Sequence, residues 1–194
     1  MKTLLITGFE PFGGDAVNPS WEAVRLLPPQ IGGWRVQRLR LPVVFGAAAE
    51  QAIAEALRLD ARAVVSVGLA AGRAAVTPEM VAINLRYGRI PDNAGAQPQD
   101  EPVVPGGPAA YFATLPVRAM AAAIARAGIP AQVSTSAGTF VCNDVMYSLL
   151  HRFTGTDVRA GFIHVPCAAG MGAPSLPLED IVSALTAAIR EIYD

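Results

Sequence analysis

Apolar and polar positions along the chain switch repeatedly between two spacings. Short apolar runs typical of buried strands occur at TLLIT, RAVVSVG and GFIHV, and segments with a helical spacing of apolar residues lie between them, as in GAAAEQAIAEALRL before RAVVSVG. Strands that alternate with helices form βαβ units around a mostly parallel sheet. The pattern therefore predicts an α/β fold.

The remaining elements follow from start signals and composition. The first predicted helix is SWEAVRLL, with Asn18 and Pro19 as its start. Three further helices are predicted at VRAMAAAIARAG, at NDVMYSLLHRF and from about Leu178 to Tyr193. Strands are predicted at WRVQRLRLPV and AQVSTS, and an extended segment is predicted at VTPEMVAINL. Residues 86–112 are too rich in Gly, Pro and polar residues to be regular throughout. A loop of that length inside a domain is usually functional or mobile.

Length and composition narrow the class of protein. The 194 residues show no break in composition, which predicts one domain over residues 1–194. No apolar run is long enough for a membrane span or a signal peptide, so we expect a soluble cytoplasmic protein whose two cysteines are free thiols. The net charge of -1, with Lys2 as the only lysine, disfavours nucleic-acid binding. The 52% apolar content suggests buried subunit surface.

One cysteine and one histidine occupy positions suited to nucleophilic catalysis. Cys142 follows a Gly-containing bend at the start of a predicted helix, where the helix dipole is expected to lower the pKa of a thiol. His164 ends an apolar strand, and α/β sheets present functional side chains at such ends. The structural alternative is that each residue simply packs in the core.

A third polar group, a carboxylate or an amide, is needed to orient the histidine. Glu79 is the leading candidate because its neighbours are apolar and a buried carboxylate needs a partner. Alternatively, TPE begins a helix, with Thr77 as its cap and Glu79 favoured by the dipole. Asp144 is a lesser candidate that, with Asn143, would support the first turn of its own helix.

The glycine-rich segments do not predict a nucleotide site. GFEPFGG lacks the Lys-Ser/Thr ending of a P-loop, and neither it nor GLAAGR matches the dinucleotide fingerprint. Phe9 and Phe12 would instead line a pocket or fill the core.

Six blocks in register carry a family resemblance: TGFEPFGGDAVNPSWEAV, LPVVFG, GRAAVTPEMVAINL, GRIPDNAG, SAGTFVCND and GFIHVP. They span nearly the whole chain and resemble the pyroglutamyl peptidase I family of cysteine peptidases, also called pyrrolidone carboxyl peptidases. The resemblance implies a single-domain three-layer α/β/α sandwich, no cofactor or metal, and a cytosolic homo-oligomer, often a tetramer. Its partners would be peptides with an N-terminal pyroglutamyl residue, which it would remove.

The resemblance also assigns residues. It implies Cys142 as the nucleophile, His164 as the base and Glu79 as the orienting carboxylate. The lactam pocket would be formed by Phe9, Phe12, Phe45, Ile90, Phe140 and Val141, with Arg89 near the oxyanion beside the Cys142 backbone N–H.

The chain departs from the family pattern in two places. Leu69 stands where the family usually has glutamine, and Ala71 stands where a further glycine is common. After GFIHVP the family continues with an aromatic residue and soon a glutamine, whereas this chain continues with CAAGMGAPSLP. The first departure concerns affinity, and the second concerns a segment without an assigned role.

Two other classes of function compete with a cysteine peptidase. A zinc hydrolase could use Cys142, His164 and Cys167 as ligands, although no second close pair of ligands is present in the sequence. A noncatalytic protein that binds a small molecule on the same fold is the other alternative, and Leu69 in the pocket is compatible with it.

Overall fold

A computed structural model describes residues 1–192. The strands are β1 (Lys2–Phe9), β2 (Gln30–Ile31), β3 (Trp34–Leu41), β4 (Ala63–Leu69), β5 (Thr77–Glu79), β6 (Val81–Ile83), β7 (Ala110–Phe112), β8 (Arg159–Val165), β9 (Cys167–Ala168) and β10 (Ser175–Leu176). The helices are α1 (Pro19–Leu26), α2 (Ala47–Arg58), α3 (Val117–Arg126), α4 (Val141–Phe153) and α5 (Leu178–Arg190).

The central sheet has six strands in the order β2-β3-β1-β4-β8-β5. The inner pairs are parallel, and the two edge strands, β2 and β5, pair antiparallel with their neighbours. Connections between parallel strands need crossovers, which α1, α2 and α4 help to supply. The predicted mostly parallel sheet is confirmed.

Helices cover both faces of this sheet. Alternate residues of a strand point to opposite faces, so Leu4 and Ile6 of β1 enter one core with α1, α3 and α5, while Leu5 enters the other core with α2 and α4. The three layers thus enclose two apolar cores. The predicted three-layer α/β/α arrangement is confirmed, and none of the described helices is long and apolar enough to cross a membrane.

The segment AQVSTS departs from the prediction of a strand. It runs parallel to the region of β5 but forms only isolated bridges, at Ala131 with Val76 and at Ser134 with Glu79. Backbone bonds flank the gap, from Gln132 N to Val76 O and from Ser134 N to Pro78 O. Pro78 has no N–H group, so it cannot supply the bond between them, and the ladder is interrupted.

Two helix predictions differ from the structure at their ends. The C-terminal helix ends at Arg190, and Tyr193, the predicted end, lies outside the described residues. The helix of Cys142 begins at Val141 after Phe140 as its N-cap. Asn18 caps α1 as predicted, because its side chain accepts a hydrogen bond from Ser20 N at 3.1 Å.

Candidate active site

A cavity of about 490 Å³ opens at the carboxyl edge of the sheet. The ends of β1, β4 and β8 contribute Phe9, Leu69 and His164 to its wall, and Cys142 at the start of α4 completes this side. Crevices at the carboxyl ends of parallel strands are the usual location of ligand sites in open α/β sheets. The cavity wall is formed by Phe9, Phe12, Asp15, Val17, Asn18, Val43, Leu69, Ala70, Arg73, residues 136–140, Cys142 and His164.

Strand register brings the polar residues of the site together. His164 lies opposite Gly68 of β4 on one side and Thr77 of β5 on the other. Side chains of residues that pair across strands point to the same face of the sheet. His164 and Phe162 share one face of β8, and Phe162 belongs to the core covered by α2 and α4. The imidazole therefore faces the start of α4.

Glu79 holds the histidine. Its Oε1 lies 2.7 Å from His164 Nδ1, and both side chains are buried. Glu79 is able to do this because Thr77–Glu79 forms a strand beside β8, so the alternative that TPE begins a helix is wrong. With Nδ1 engaged by the carboxylate, Nε2 is the ring nitrogen that remains available for a proton from another group.

The thiol of Cys142 packs against the sheet at a residue without a side chain. A Cβ atom built on Gly68 would lie 2.9 Å from Cys142 Sγ and 2.7 Å from Phe162 Cζ. Gly68 therefore makes the close approach of the thiol to β4 and β8 possible. The phenyl ring of Phe162 also packs on the His164 imidazole, with 4.7 Å between the ring centroids.

Electrostatics in the site differ from the expectation of a lowered thiol pKa. Burial raises the pKa of the Cys142 thiol to about 12, and the negative charge of Glu79 adds to this, while Arg73 and the Cys142 backbone N–H act in the opposite direction. Burial also holds the pKa of His164 below its usual value, although Glu79 opposes this. The helix N-terminus does not outweigh desolvation here, so the free site holds a neutral thiol and a neutral imidazole at pH 7.

The carboxyl group of Glu79 stays ionised. Burial alone would raise the pKa of Glu79, but the hydrogen bond of His164, the Ser134 hydroxyl and the hydrogen bond of Arg73 hold that pKa below its usual value. Arg73 donates from Nη1 to Glu79 Oε1 at 2.6 Å, and its side chain is about one-third exposed. No sequence pattern singles out Arg73, which follows GLAAG in a segment without a nucleotide-binding motif.

The residues expected in the lactam pocket separate into two groups. Phe9, Phe12 and Phe140 line the cavity, and the rings of Phe12 and Phe140 pack with centroids 5.3 Å apart. The cavity wall does not include Phe45, Val141, Ile90 or Arg89.

The four expected pocket residues that do not line the cavity are either packed elsewhere or exposed. Phe45 packs edge-on against Phe140, with 5.0 Å between their centroids, so it supports a wall residue from outside. Val141 is 1% exposed and packs in the core beneath α4. Ile90 is exposed, and Arg89 is exposed in a loop whose backbone is held by Gln97. The substrate-binding roles of these four residues stay predictions.

Asn143 and Asp144 follow the cysteine but do not support their own helix turn as expected. Asn143 exchanges hydrogen bonds of 2.9 Å with the backbone N–H and carbonyl of Ile83. Asp144 accepts from Gly46 N at 2.8 Å and from Arg86 Nε at 2.6 Å. Both residues therefore attach neighbouring segments to the start of α4.

Two carboxylates missed in the sequence organise the loops around the cavity. Glu10 Oε1 accepts from Val43 N at 3.1 Å and from Asn93 Nδ2 at 2.7 Å. Asp92 is buried and accepts from the backbone of Phe45, Ala94 and Ala96 at 2.8 to 2.9 Å. Their positions within GFEPFGG and IPDNAG were a signal, because acidic residues next to turn-rich segments often accept backbone hydrogen bonds.

A metal centre is not favoured by the arrangement of ligands. Within residues 1–192, no three or more His, Cys, Asp or Glu side chains converge in a way that could hold a metal ion. Both cysteines are free thiols, with Cys142 half-buried and Cys167 buried. A zinc site formed by Cys142, His164 and Cys167 therefore has no support in the geometry.

Comparisons with known proteins identify the family of this chain. A family model described as pyroglutamyl peptidase matches residues 1–194. A protein of Levilactobacillus brevis named pyrrolidone-carboxylate peptidase is 54% identical over 196 residues, which is 97% of this chain and 96% of the relative. A protein of the same name from Escherichia fergusonii is 53% identical over 201 residues, covering 100% and 94% of the two chains.

Solved structures show the same similarity in three dimensions. The crystal structure of pyroglutamyl peptidase I from Bacillus amyloliquefaciens superposes with a TM-score of 0.94 at 42% identity, covering 99% of this chain and 97% of that one. Pyrrolidone carboxyl peptidase from Thermococcus litoralis gives a TM-score of 0.93 at 40% identity, covering 99% and 93%.

Proposed function

The chain belongs to the pyroglutamyl peptidase family, and we propose that the cavity at the carboxyl edge of its sheet is the site of the reaction. The protein is a cysteine peptidase that removes N-terminal pyroglutamyl residues from peptides. The observation that carries the site assignment is that His164, bonded to the buried Glu79, lines the same cavity as the half-buried Cys142 thiol.

Cys142 is the nucleophile in this proposal, and His164 is its base. The Cys142 sulfur attacks the pyroglutamyl carbonyl carbon while its proton passes to His164 Nε2. The carbon–nitrogen bond then breaks, and His164 returns that proton to the departing amine, which leaves a thioester on Cys142. Water attacks the thioester with His164 taking its proton, and the released thiolate regains a proton from the imidazolium.

The resting state is the neutral pair rather than a preformed thiolate. The raised pKa of Cys142 and the lowered pKa of His164 both favour it. An imidazole that is neutral at pH 7 can accept the thiol proton as the sulfur attacks, and Glu79 stabilises the imidazolium that results. Activity should therefore decline as the pH falls through the pKa of His164, which lies below its usual value, because protonation removes the base.

The start of α4 supplies the oxyanion donor. The first N–H groups of a helix have no acceptor within the helix, and the Cys142 N–H is one of them. A backbone N–H directed at the developing negative oxygen stabilises the transition state without reorganisation.

Specificity follows from the lining of the cavity. Phe9, Phe12 and Phe140 give it aromatic walls that fit the apolar edge of a lactam ring. A peptide with a free α-ammonium would lose hydration on these walls without gaining a partner there, so it would bind poorly. We also propose that the protein acts in the cytoplasm as a homo-oligomer, a state that light scattering measures directly.

Replacement of the two cysteines tests the proposed function. We expect Cys142→Ala to lower kcat for a pyroglutamyl-coumarin substrate by roughly 10⁴-fold or more, whereas Cys167→Ala keeps most of the activity because Cys167 is buried away from the cavity wall. Iodoacetamide should label the more accessible Cys142 first, as peptide mass mapping measures. An essential or faster-labelled Cys167 would contradict the assignment.

A further inference from the structure

Arg73 connects three separate parts of the site. Its Nη1 donates to Thr77 Oγ1 and to Glu79 Oε1, each at 2.6 Å, and its Nη2 donates to the carbonyl of Ser136 at 3.3 Å. The guanidinium thus reaches both ends of β5 and the segment before α4. It also forms part of the cavity wall together with Cys142 and His164.

The guanidinium and the imidazole share one carboxylate oxygen. Glu79 Oε1 receives Arg73 Nη1 at 2.6 Å and His164 Nδ1 at 2.7 Å. A carboxylate oxygen has two lone pairs and can accept both donors. The last torsion of a glutamate side chain is broad, so a carboxylate needs an anchor to keep one particular oxygen facing its partner. Arg73 provides that anchor.

The contact with Ser136 extends this anchoring to the pocket. Residues 136–140 line the cavity and lead directly into α4, which carries Cys142 at its second position. A bond from Arg73 to the Ser136 carbonyl therefore ties the pocket segment to the carboxylate that orients His164. The Arg73 side chain therefore links the position of the base His164 to the pocket segment that leads to Cys142.

We propose that Arg73 is a positioning residue that fixes Glu79 Oε1 against His164. This inference rests on the proposed function of the same site. The charged and titratable groups around His164 are Glu79 from β5, Arg73 from the turn before β5 and Cys142 from α4, while β4 presents the uncharged Gly68. The positive charge of Arg73 acts to lower the pKa of His164.

The charge and the geometry of Arg73 can be separated by two substitutions. Arg73→Met removes both the charge and the donors, whereas Arg73→Lys keeps the charge but cannot reproduce the forked contacts. We expect kcat to fall about ten- to a hundredfold in Arg73→Met, as expected when a hydrogen bond to a charged group is lost. The acid limb of kcat/KM should move to higher pH in Arg73→Met and stay near its original position in Arg73→Lys.

Direct titration of the imidazole measures the effect apart from catalysis. The chain has two histidines, so His151→Asn identifies the NMR signal of His164. Its midpoint should rise in Arg73→Met, because the repelling positive charge is removed and Glu79 is left to His164 alone. If Arg73→Met does not fold, Arg73→Gln tests the same loss of charge with a polar side chain of similar length.

A second ion pair provides the control. Arg86 bonds to the buried carboxylate of Asp144 at the same distance, 2.6 Å, but it is not on the cavity wall. Arg86→Met should lower the free energy of unfolding and leave the titration midpoint of His164 unchanged.

An unchanged His164 midpoint and an unchanged acid limb of kcat/KM in the folded Arg73→Met or Arg73→Gln protein would overturn the inference and make Arg73 a structural residue. Absence of pyroglutamyl hydrolysis in the unmodified protein would contradict the proposed function, whereas the NMR titration would still test Arg73.

Discussion

The first turn of α4 faces two environments that use similar residues for different purposes. On one side, Cys142 lines the cavity together with His164 and Arg73, whose side chains both bond to Glu79. On the other side, Asn143 and Asp144 enter the protein and bind neighbouring segments. We refer to these as the cavity side and the scaffold side. Each contains a fully buried carboxylate that bonds to an arginine at 2.6 Å.

The two carboxylates differ in how completely they are paired. On the scaffold side, both oxygens of Asp144 accept hydrogen bonds, one from Arg86 and one from Gly46. On the cavity side, Glu79 Oε1 receives two donors, while within residues 1–192 Glu79 Oε2 accepts no hydrogen bond. The Ser134 hydroxyl helps to hold the pKa of Glu79 down, although its own hydrogen bond goes to the Ser136 carbonyl.

This difference indicates what each side is built for. A fully paired buried charge holds structure, and removing it leaves its partners unsatisfied. A buried carboxylate with one oxygen that accepts no hydrogen bond is less completely satisfied, and such a group calls for a functional explanation. The arginine–carboxylate distance alone does not distinguish the two pairs, because it is the same in both. The other hydrogen bonds of each carboxylate do distinguish them.

Neutralising each carboxylate is the strongest test of this comparison. Glu79→Gln should lower kcat by roughly 10³- to 10⁴-fold, because an amide can donate to Nδ1 and so stabilise the wrong tautomer of His164. Asp144→Asn should instead lower the free energy of unfolding by about 3 kcal/mol, since Arg86 and Gly46 lose their charged acceptor. Steady-state kinetics and urea denaturation of both variants measure the two effects.

We expect one variant to lose mainly activity and the other to lose mainly stability. Glu79→Gln should lose less stability than Asp144→Asn, because among the described residues only one oxygen of Glu79 accepts hydrogen bonds, and Asp144→Asn should keep most of its activity per folded molecule at low temperature. Equal loss of stability in both variants, or a larger loss of kcat in Asp144→Asn, would show that the two sides do not divide the roles in this way.

The sequence was sufficient for the elements that depend on local pattern. The alternation of strands and helices, the start of α1 at Asn18 and Pro19 and the location of Cys142 at a helix N-terminus all follow from periodicity and capping. The interrupted pairing of AQVSTS was not predictable, because it depends on which residue lies opposite: Pro78 is distant in sequence and lacks an N–H.

The candidate site was predictable only in part for the same reason. Residue type and position pointed to Cys142, His164 and Glu79, but the raised thiol pKa depends on burial, which spacing along the chain does not specify. Arg73 acquires its contacts only when the turn after β4 folds back to Glu79 and Ser136. The importance of Gly68 likewise depends on a thiol that approaches from another element.

Adding a methyl group at Gly68 sharpens the comparison on the cavity side. In Gly68→Ala, the new Cβ would meet Cys142 Sγ at 2.9 Å and Phe162 Cζ at 2.7 Å, so the thiol and the ring beneath His164 must shift. We expect kcat for pyroglutamyl-coumarin to fall roughly 100-fold, as a displacement of about 1 Å in a catalytic group can cause. The kcat of the folded variant is the measurement.

Gly161→Ala is the matched control for crowding in the same sheet. There the new Cβ would meet Leu115 Cδ1 at 2.8 Å, away from the cavity wall. Both variants should lose about 1 to 3 kcal/mol of stability through overpacking, but Gly161→Ala should keep its kcat. A parallel loss of kcat in both variants would mean that general strain, rather than displacement of Cys142, explains the effect.

The smallest expected effect concerns Leu69, an apolar residue on the cavity side where the family resemblance leads us to expect glutamine. Leu69 lines the cavity, so a glutamine there could donate to or accept from the bound lactam. One neutral hydrogen bond contributes about 0.5 to 1.5 kcal/mol, and Leu69→Gln should therefore raise kcat/KM by roughly two- to tenfold. Leu69→Met, which has a similar volume and no such donor, should change kcat/KM little.

We expect the gain in Leu69→Gln mainly as a lower KM, because a contact to the lactam ring is present in both the ground state and the transition state. The oxyanion is stabilised instead by the backbone at the start of α4. A rise in kcat at constant KM would place the new contact at the reacting carbonyl instead. If the unmodified protein showed no detectable hydrolysis and Leu69→Gln did hydrolyse the substrate, the cavity would bind a different ligand in nature.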